Sequence, residues 1–272
     1  MPVHRLTDLT CSRLNPYRNL RTTNLTRVSG RFIAESKPLV QRLVASGLAI
    51  DSILIDESYL EEAIGWLPPD IDLFSIPGPY VSELVGFAFH RGYLACGMRP
   101  DFQSLEMGAF ELTSNWLGAM LVGLQDPENM GSIFRTCAAL GISDILIGPE
   151  CVDPFARRVL RVSMGNAFKL RFFEALDPIA AMGMCSQVGI ESIAACLSET
   201  SEELSRFRRN GPGLVVLGNE AHGLPLGIQK AAARSVRIDM ALGTDSLNVS
   251  VAAGIILHNL RRVCGNGNFE SR

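Results

Sequence analysis

Three short polar stretches, each at the end of an apolar run, hold the residues best suited to chemistry. In DPENMGSIFR (126–135), Asn129 offers an amide that can brace neighbouring loops, and Gly131 permits a tight approach at a turn. Arg135 carries a guanidinium fork able to grip a phosphate or a hydroxyl-bearing sugar edge. In VVLGNEAHGLP (215–225), Gly218 follows an apolar strand directly, which exposes backbone amides to a flat ligand, and Glu220 can anchor a loop or a ligand cation. In SLNVSVAAGIILHNL (246–260), Ser246 is a suitable N-cap for a helix of small apolar residues. Gly254 costs that helix about 1 kcal/mol relative to alanine, unless another backbone closes on it. Taken singly, each stretch also suits an ordinary capped helix or turn.

Several chemistries are excluded by what these stretches lack. The glycines of 215–225 are not followed by Lys-Ser or Lys-Thr and do not form GxGxxG, so a nucleoside triphosphate or dinucleotide site has no support. Seven cysteines are dispersed without a CxxC pair and four histidines stand alone, so no metal is expected and the thiols suit a reducing, cytoplasmic setting. With 47% hydrophobic and 19% charged residues the chain reads as compact and globular, while its longest apolar run, WLGAMLVGL, is too short to cross a bilayer. No apolar signal core opens the N-terminus. Charge is unevenly spread. Residues 1–47 hold eight basic side chains against Asp8 and Glu35, a balance of +6 in a chain whose net charge is −3. That asymmetry suits either a basic segment reaching for a phosphate backbone or a merely solvated one.

The elements that must position these residues follow from periodicity. Residues 1–28 read as a basic, flexible arm. From Gly30, ESKPLVQRLVASG has helical spacing with Gly47 as C-cap; IDSILID and IDLFSIP read as strands, and SYLEEAIGW and PYVSELVGF as helices. This alternation predicts a small α/β domain over 29–112. From 113 the pattern renews: strands in NWLGAMLVGL, SDILIG, ESIAACL, GPGLVVLG and SVRIDM alternate with loops and helices such as SIFRTCAALG and PFARRVLRVSMG. A mostly parallel sheet over 113–272 is expected, with ligands at the carboxyl ends of its strands.

The order and content of the three stretches, across roughly residues 115–262, closely resemble the SpoU (TrmH-like) RNA ribose methyltransferases of the SPOUT superfamily. DPFARRVLRVSMGNAFKLRF (153–172) resembles that family's intermediate segment, and GRFIAESKPLVQRLVASG resembles, more weakly, a small RNA-binding domain akin to kink-turn-binding ribosomal proteins. Asp239 departs from the family, which usually has proline there; Ala221 stands where glycine is common.

The resemblance implies a deep trefoil knot in the C-terminal domain, S-adenosylmethionine as cofactor, a homodimer, and methylation of a ribose 2′-hydroxyl with rRNA favoured over tRNA. It places Leu217, Gly218, Asn219, Ile238, Met240 and Leu247 against the cofactor, and Asn129, Arg135, Glu220, Ser246 and Asn248 around the reacting sugar. Arg135 is the family's activating group; since a guanidinium rarely gives up its proton, stabilisation of an emerging alkoxide or grip on a phosphate suits it better. Arg18, Arg21, Arg27, Arg31, Arg157 and Arg161 are the expected RNA contacts. Two other classes remain open from sequence: a non-catalytic RNA-binding or assembly factor, and an ordinary nucleotide-binding α/β enzyme.

Overall fold

The computed structural model describes residues 2–21, 25–106 and 108–262; the side chains of Arg27 and Val28 lie outside what it describes, as does Cys264. The chain divides into two compact units, Met1–Asp101 with Asp153–Lys169, and Phe102–Val152 with Leu170–Arg272.

The first unit contains strands β1 (Val3–Arg5), β2 (Arg31–Glu35), β3 (Ile50–Asp56), β4 (Leu73–Ile76) and β5 (Tyr93–Met98), and helices α1 (Leu25–Ser29), α2 (Lys37–Ser46), α3 (Leu60–Ile64) and α4 (Gly78–Val85). Helix α6 (Arg157–Val162) also belongs to it. The sheet order is β1-β4-β3-β5-β2, with β5 antiparallel to both neighbours and the remaining pairs parallel. Strands β2 and β5 were not expected. RFIAE has only three apolar residues before the helix starts at Lys37, too few for periodicity to register.

Two domain expectations are corrected. Residues 1–28 are not a free arm where they are described: Val3–Arg5 pair in parallel with Leu73–Ser75, and a 3₁₀ helix over Ser12–Tyr17 sends Leu14 and Tyr17 into the core. Leu20 is buried with them, and the Tyr17 hydroxyl shares a 2.8 Å hydrogen bond with Ser52 Oγ. Burial of these side chains outweighs the charge around them. The second correction concerns the boundary at 112. Gln103 N donates to Phe172 O (2.8 Å), and Leu105 and Phe110 pack on the second unit's core, so 102–112 lies in that unit. In return, 153–169 folds with the first, where Arg99 Nε meets Asp153 Oδ2 at 2.8 Å.

The second unit contains β6 (Leu117–Leu121), β7 (Asp144–Ile147), β8 (Arg171–Glu174), β9 (Glu191–Ala195), β10 (Glu202–Glu203), β11 (Gly213–Leu217) and β12 (Arg234–Arg237), with α5 (Pro127–Leu140), α7 (Pro178–Gln187), α8 (Leu226–Ala231) and α9 (Val249–Leu260). Every described pairing in this seven-stranded sheet, ordered β10-β12-β9-β11-β6-β7-β8, is parallel. All residues of β6, β7 and β11 are buried, as strands covered on both faces require. At the amino ends, Trp116 Nε1 and the Arg171 guanidinium both donate to buried Asp144, at 2.8 Å and 2.6–2.9 Å. The chain runs from β6 outward through β7 to β8, then returns to build β9 and β11 on the other side. Order therefore reverses between β6 and β11.

Candidate active site

The loops leaving β9, β11 and β12, with the first turns of α9, enclose a pocket of about 350 Å³, within the range of small-molecule sites. Its walls are apolar where Val236, Ala252 and Ile256 reach it and polar at Glu220, His222 and Arg237.

The loop after β11 is a tight hairpin. Asn219 and Gly223 exchange backbone hydrogen bonds (3.2 and 2.9 Å), and the Asn219 side chain accepts from Ala221 N and His222 N while donating to Gly123 O at 2.8 Å. Asn219 thus pins the loop from β11 to the loop from β6. Gly218 is forced by the same fold: a Cβ there would lie 2.5–2.6 Å from backbone atoms of Gly223 and Leu224.

A chain of amides joins the three polar stretches. Asp126 caps α5, its side chain accepting from Glu128 N at 2.8 Å, and the helix then buries Asn129 to 7% exposure. Asn129 Nδ2 donates to Glu220 Oε1 (2.8 Å), and its Oδ1 accepts from Asn248 Nδ2 (2.9 Å). Asn248 is itself the N-cap of α9, its Oδ1 accepting from Ser250 N at 2.9 Å. Two local expectations change accordingly. Asn248 and not Ser246 caps α9, and α5 begins at Pro127, so Gly131 lies within the helix and Arg135 more than two turns along it.

The structure brings most of the expected site together. Leu217, Gly218, Asn219, Glu220, Ile238, Met240, Ser246 and Leu247 line the pocket, and Asn129 and Asn248 tie its rim. Arg135 is the exception. It lies exposed on α5 and lines a separate shallow groove with Thr136, Gly254 and His258. Gly254 is not demanded by α5, since a Cβ there would meet Thr136 Cγ2 at an ordinary 3.8 Å. At Asp239, the carboxylate pairs with Arg237 Nε (2.8 Å) and thereby orients a pocket-lining guanidinium that also donates to Ser201 O. Arg237 and Cys196 were not anticipated as lining, because nothing in their neighbours distinguishes them from ordinary strand-end residues.

Of the expected RNA contacts, Arg18 is spent internally, donating to Asn15 Oδ1 and to the carbonyls of Leu9 and Cys11. Arg31 meets Asp51 at 3.5 Å, whereas Arg21 is exposed. Arg157 and Arg161 face the buried Glu35. Arg27 lies outside the described side chains. Among the described residues no cluster of three or more metal-ligating side chains occurs, and no helix is long and apolar enough to cross a membrane.

Comparison with known proteins adds an independent line. The family model described as the SpoU rRNA Methylase family matches residues 117–258. An uncharacterised tRNA/rRNA methyltransferase of Mycobacterium bovis is 31% identical over 271 residues, covering 92% of this chain and 88% of its own. The 23S rRNA (guanosine-2′-O-)-methyltransferase RlmB of Acinetobacter baylyi is 28% identical, over 67% of this chain and 75% of its own. Among solved structures, an AdoMet-bound rRNA methyltransferase from Sinorhizobium meliloti superposes with a TM-score of 0.81 at 24% identity, covering 95% of this chain and 97% of its own.

Proposed function

Because the chain belongs to the SpoU rRNA methylase family, we propose that it transfers a methyl group from S-adenosylmethionine to a ribose 2′-hydroxyl of ribosomal RNA. The observation that carries this reading is the hydrogen-bonded chain Glu220–Asn129–Asn248, which draws the three polar stretches around one pocket. The donor set fits the cofactor. Apolar walls at Val236, Ala252 and Ile256 suit an adenine face, backbone groups at Leu217, Gly218, Ile238, Met240 and Leu247 suit its edges, and Glu220 offers a negative charge to a cationic ligand.

When bound, S-adenosylmethionine supplies an electrophilic methyl group, so the protein's task is alignment and help with one proton. Asn129 holds one oxygen of Glu220, which fixes that carboxylate on the pocket wall that Ser246 also lines. Glu220, Ser246 and Asn248 orient the sugar, Arg135 stabilises the alkoxide or grips the adjoining phosphate, and the hydroxyl proton passes to solvent as the methyl group is taken up. Arg135 lies outside the pocket of its own chain. The same face carries Val251 and Ile255, 50% and 41% exposed, an apolar stripe that supports a homodimer in which each copy completes the other's site. The carboxyl-terminal trefoil knot and a cytoplasmic location belong to this same reading. RNA contact falls to the first unit, with Arg21, Arg157 and Arg161 as its exposed or half-exposed cations.

The test is transfer of labelled methyl from S-adenosylmethionine to unmodified transcripts of rRNA and tRNA, with the product mapped as 2′-O-methyl. Labelled rRNA is the expected product. Labelled tRNA alone would reassign the substrate, and cofactor binding without transfer to either would favour the assembly factor.

A further inference from the structure

Glu35, at the end of β2, is only 3% exposed, yet three guanidinium groups converge on its carboxylate. Arg91 Nε lies 3.4 Å from Oε1, while Arg157 Nη1 and Arg161 Nη1 lie 3.2 and 3.7 Å from Oε2. All four residues belong to the first unit, drawn from distant parts of the chain. One carboxylate neutralises one guanidinium, so the cluster retains an excess of two positive charges. Like charges held this close repel, and in a partly desolvated setting that repulsion is poorly screened. Arg157 registers it: burial, then Arg161 and Arg91, push its guanidinium below the usual range against the opposing pull of Glu35. Three other acids of the unit pair with other cations, Asp153 with Arg99, Glu62 with Lys37 and Asp51 with Arg31.

Such a cluster suits an anion with several acceptor oxygens. The guanidinium side chains keep 26–45% of their surface in solvent, so an incoming group can reach them. Arg157 is further fixed by stacking over Phe87, 4.8 Å from the ring centre. Next to Arg91, Gly92 lies beneath the ring of Tyr59, whose side chain is the more exposed member of a pair with Tyr93.

We propose that Arg91, Arg157 and Arg161, held in place by Glu35, form a phosphate-binding site for the RNA backbone, with Tyr59 offering a stacking face for a base. Glu35 and Arg91 enter as parts of the RNA-binding machinery that the sequence did not indicate. The inference rests on RNA being the substrate, but not on methyl transfer. A preset arginine fork loses little side-chain entropy on meeting a phosphate, and contacts of this kind make binding depend on salt.

The experiment uses the full chain and a fluorescent 20-base-pair RNA hairpin, titrated at several salt concentrations. Arg91→Gln, in a different unit from the pocket and half-exposed, is expected to weaken binding three- to tenfold. It should also lower the slope of log affinity against log salt by about 0.7–0.9. Arg157→Gln and Arg161→Gln should act in the same direction, and Tyr59→Leu should weaken the hairpin without changing competition by inorganic pyrophosphate. Cofactor affinity measured by calorimetry should stay constant throughout. Unchanged affinity and salt slope in all three arginine variants would overturn the site and leave the methyltransferase reading intact. Failure of the wild type to bind S-adenosylmethionine would damage that reading and leave the phosphate site standing.

Discussion

At the scale of single residues, the site depends on small side chains placed where nothing larger fits. Gly218→Ala puts a methyl group 2.5–2.6 Å from the backbone of Gly223 and Leu224, so the hairpin must move. The expected result is a loss of S-adenosylmethionine affinity of tenfold or more by calorimetry, since the displaced hairpin is one wall of the pocket. Asn129→Asp keeps the shape but replaces the donor facing Glu220 with a second carboxylate at the same 2.8 Å contact. Like charges so close raise the proton affinity of one partner. Turnover should fall about a hundredfold, with the deficit shrinking as pH is lowered; a pH-rate profile parallel to wild type would contradict this. Arg135→Ala should retain cofactor binding and lose methylation. Gly218 is legible from sequence because it follows an apolar strand directly, where a loop must turn at the sheet's carboxyl edge; Asn129 and Arg135, which lie within α5, stand out only through the family resemblance. Asn219 lines the pocket, as the resemblance expects, and its side chain also braces the loop, a role that depends on the distant Gly123 carbonyl.

At the scale of elements, helix α9 matters most, because its first turns wall the pocket and its far end is anchored. Arg209 is 1% exposed, and its guanidinium donates to the carbonyls of Leu260, Trp116, Gly211 and Asn115. Arg209→Met removes those donors while keeping apolar bulk. It should destabilise the protein by about 3 kcal/mol in urea unfolding, since buried carbonyls are left without partners. The middle of α9 presents Val251 and Ile255 to solvent. With the proposed homodimer, wild type should run as a dimer in light scattering and Val251→Glu as a monomer of lower turnover; a Val251→Glu protein of unaltered mass would remove that face from consideration. Helix and strand positions in the second unit were readable because buried parallel strands are long apolar runs. β8 was not, since RFFE is short and opens with Arg171, whose charge is answered by Asp144 on the neighbouring strand.

At the scale of the whole molecule, four thiols, three buried and Cys151 half-buried, set an alkaline limit. Burial pushes Cys96 and Cys137 up to about 12 and Cys151 and Cys185 up to about 11. In the unfolded chain these groups lose their protons nearer pH 9, so there the folded state binds more protons and stability falls with rising pH. Thermal melting should therefore be insensitive to these groups below about pH 8 and drop progressively from pH 9 to 11. Replacing Cys137 and Cys185 with alanine and valine should flatten that drop. Domain organisation was the least legible feature. Charge counting over residues 1–47 gave no hint that Leu14, Tyr17 and Leu20 are core, because their irregular spacing follows neither helix nor strand periodicity. The segment 153–169 reads as continuous with the sheet around it, whereas its contacts assign it to the first unit: Arg99 with Asp153, Phe32 with Phe155 and Phe168, and Glu35 with Arg157 and Arg161. The strand order has a consequence for biosynthesis. Parallel partners β6 and β11 lie almost a hundred residues apart, and the pocket draws on side chains from Ala195 through Ile256. With the pocket as the proposed cofactor site, ribosome-bound intermediates that stop short of α9 would lack one of its walls, and methyl transfer would await the emergence of that helix.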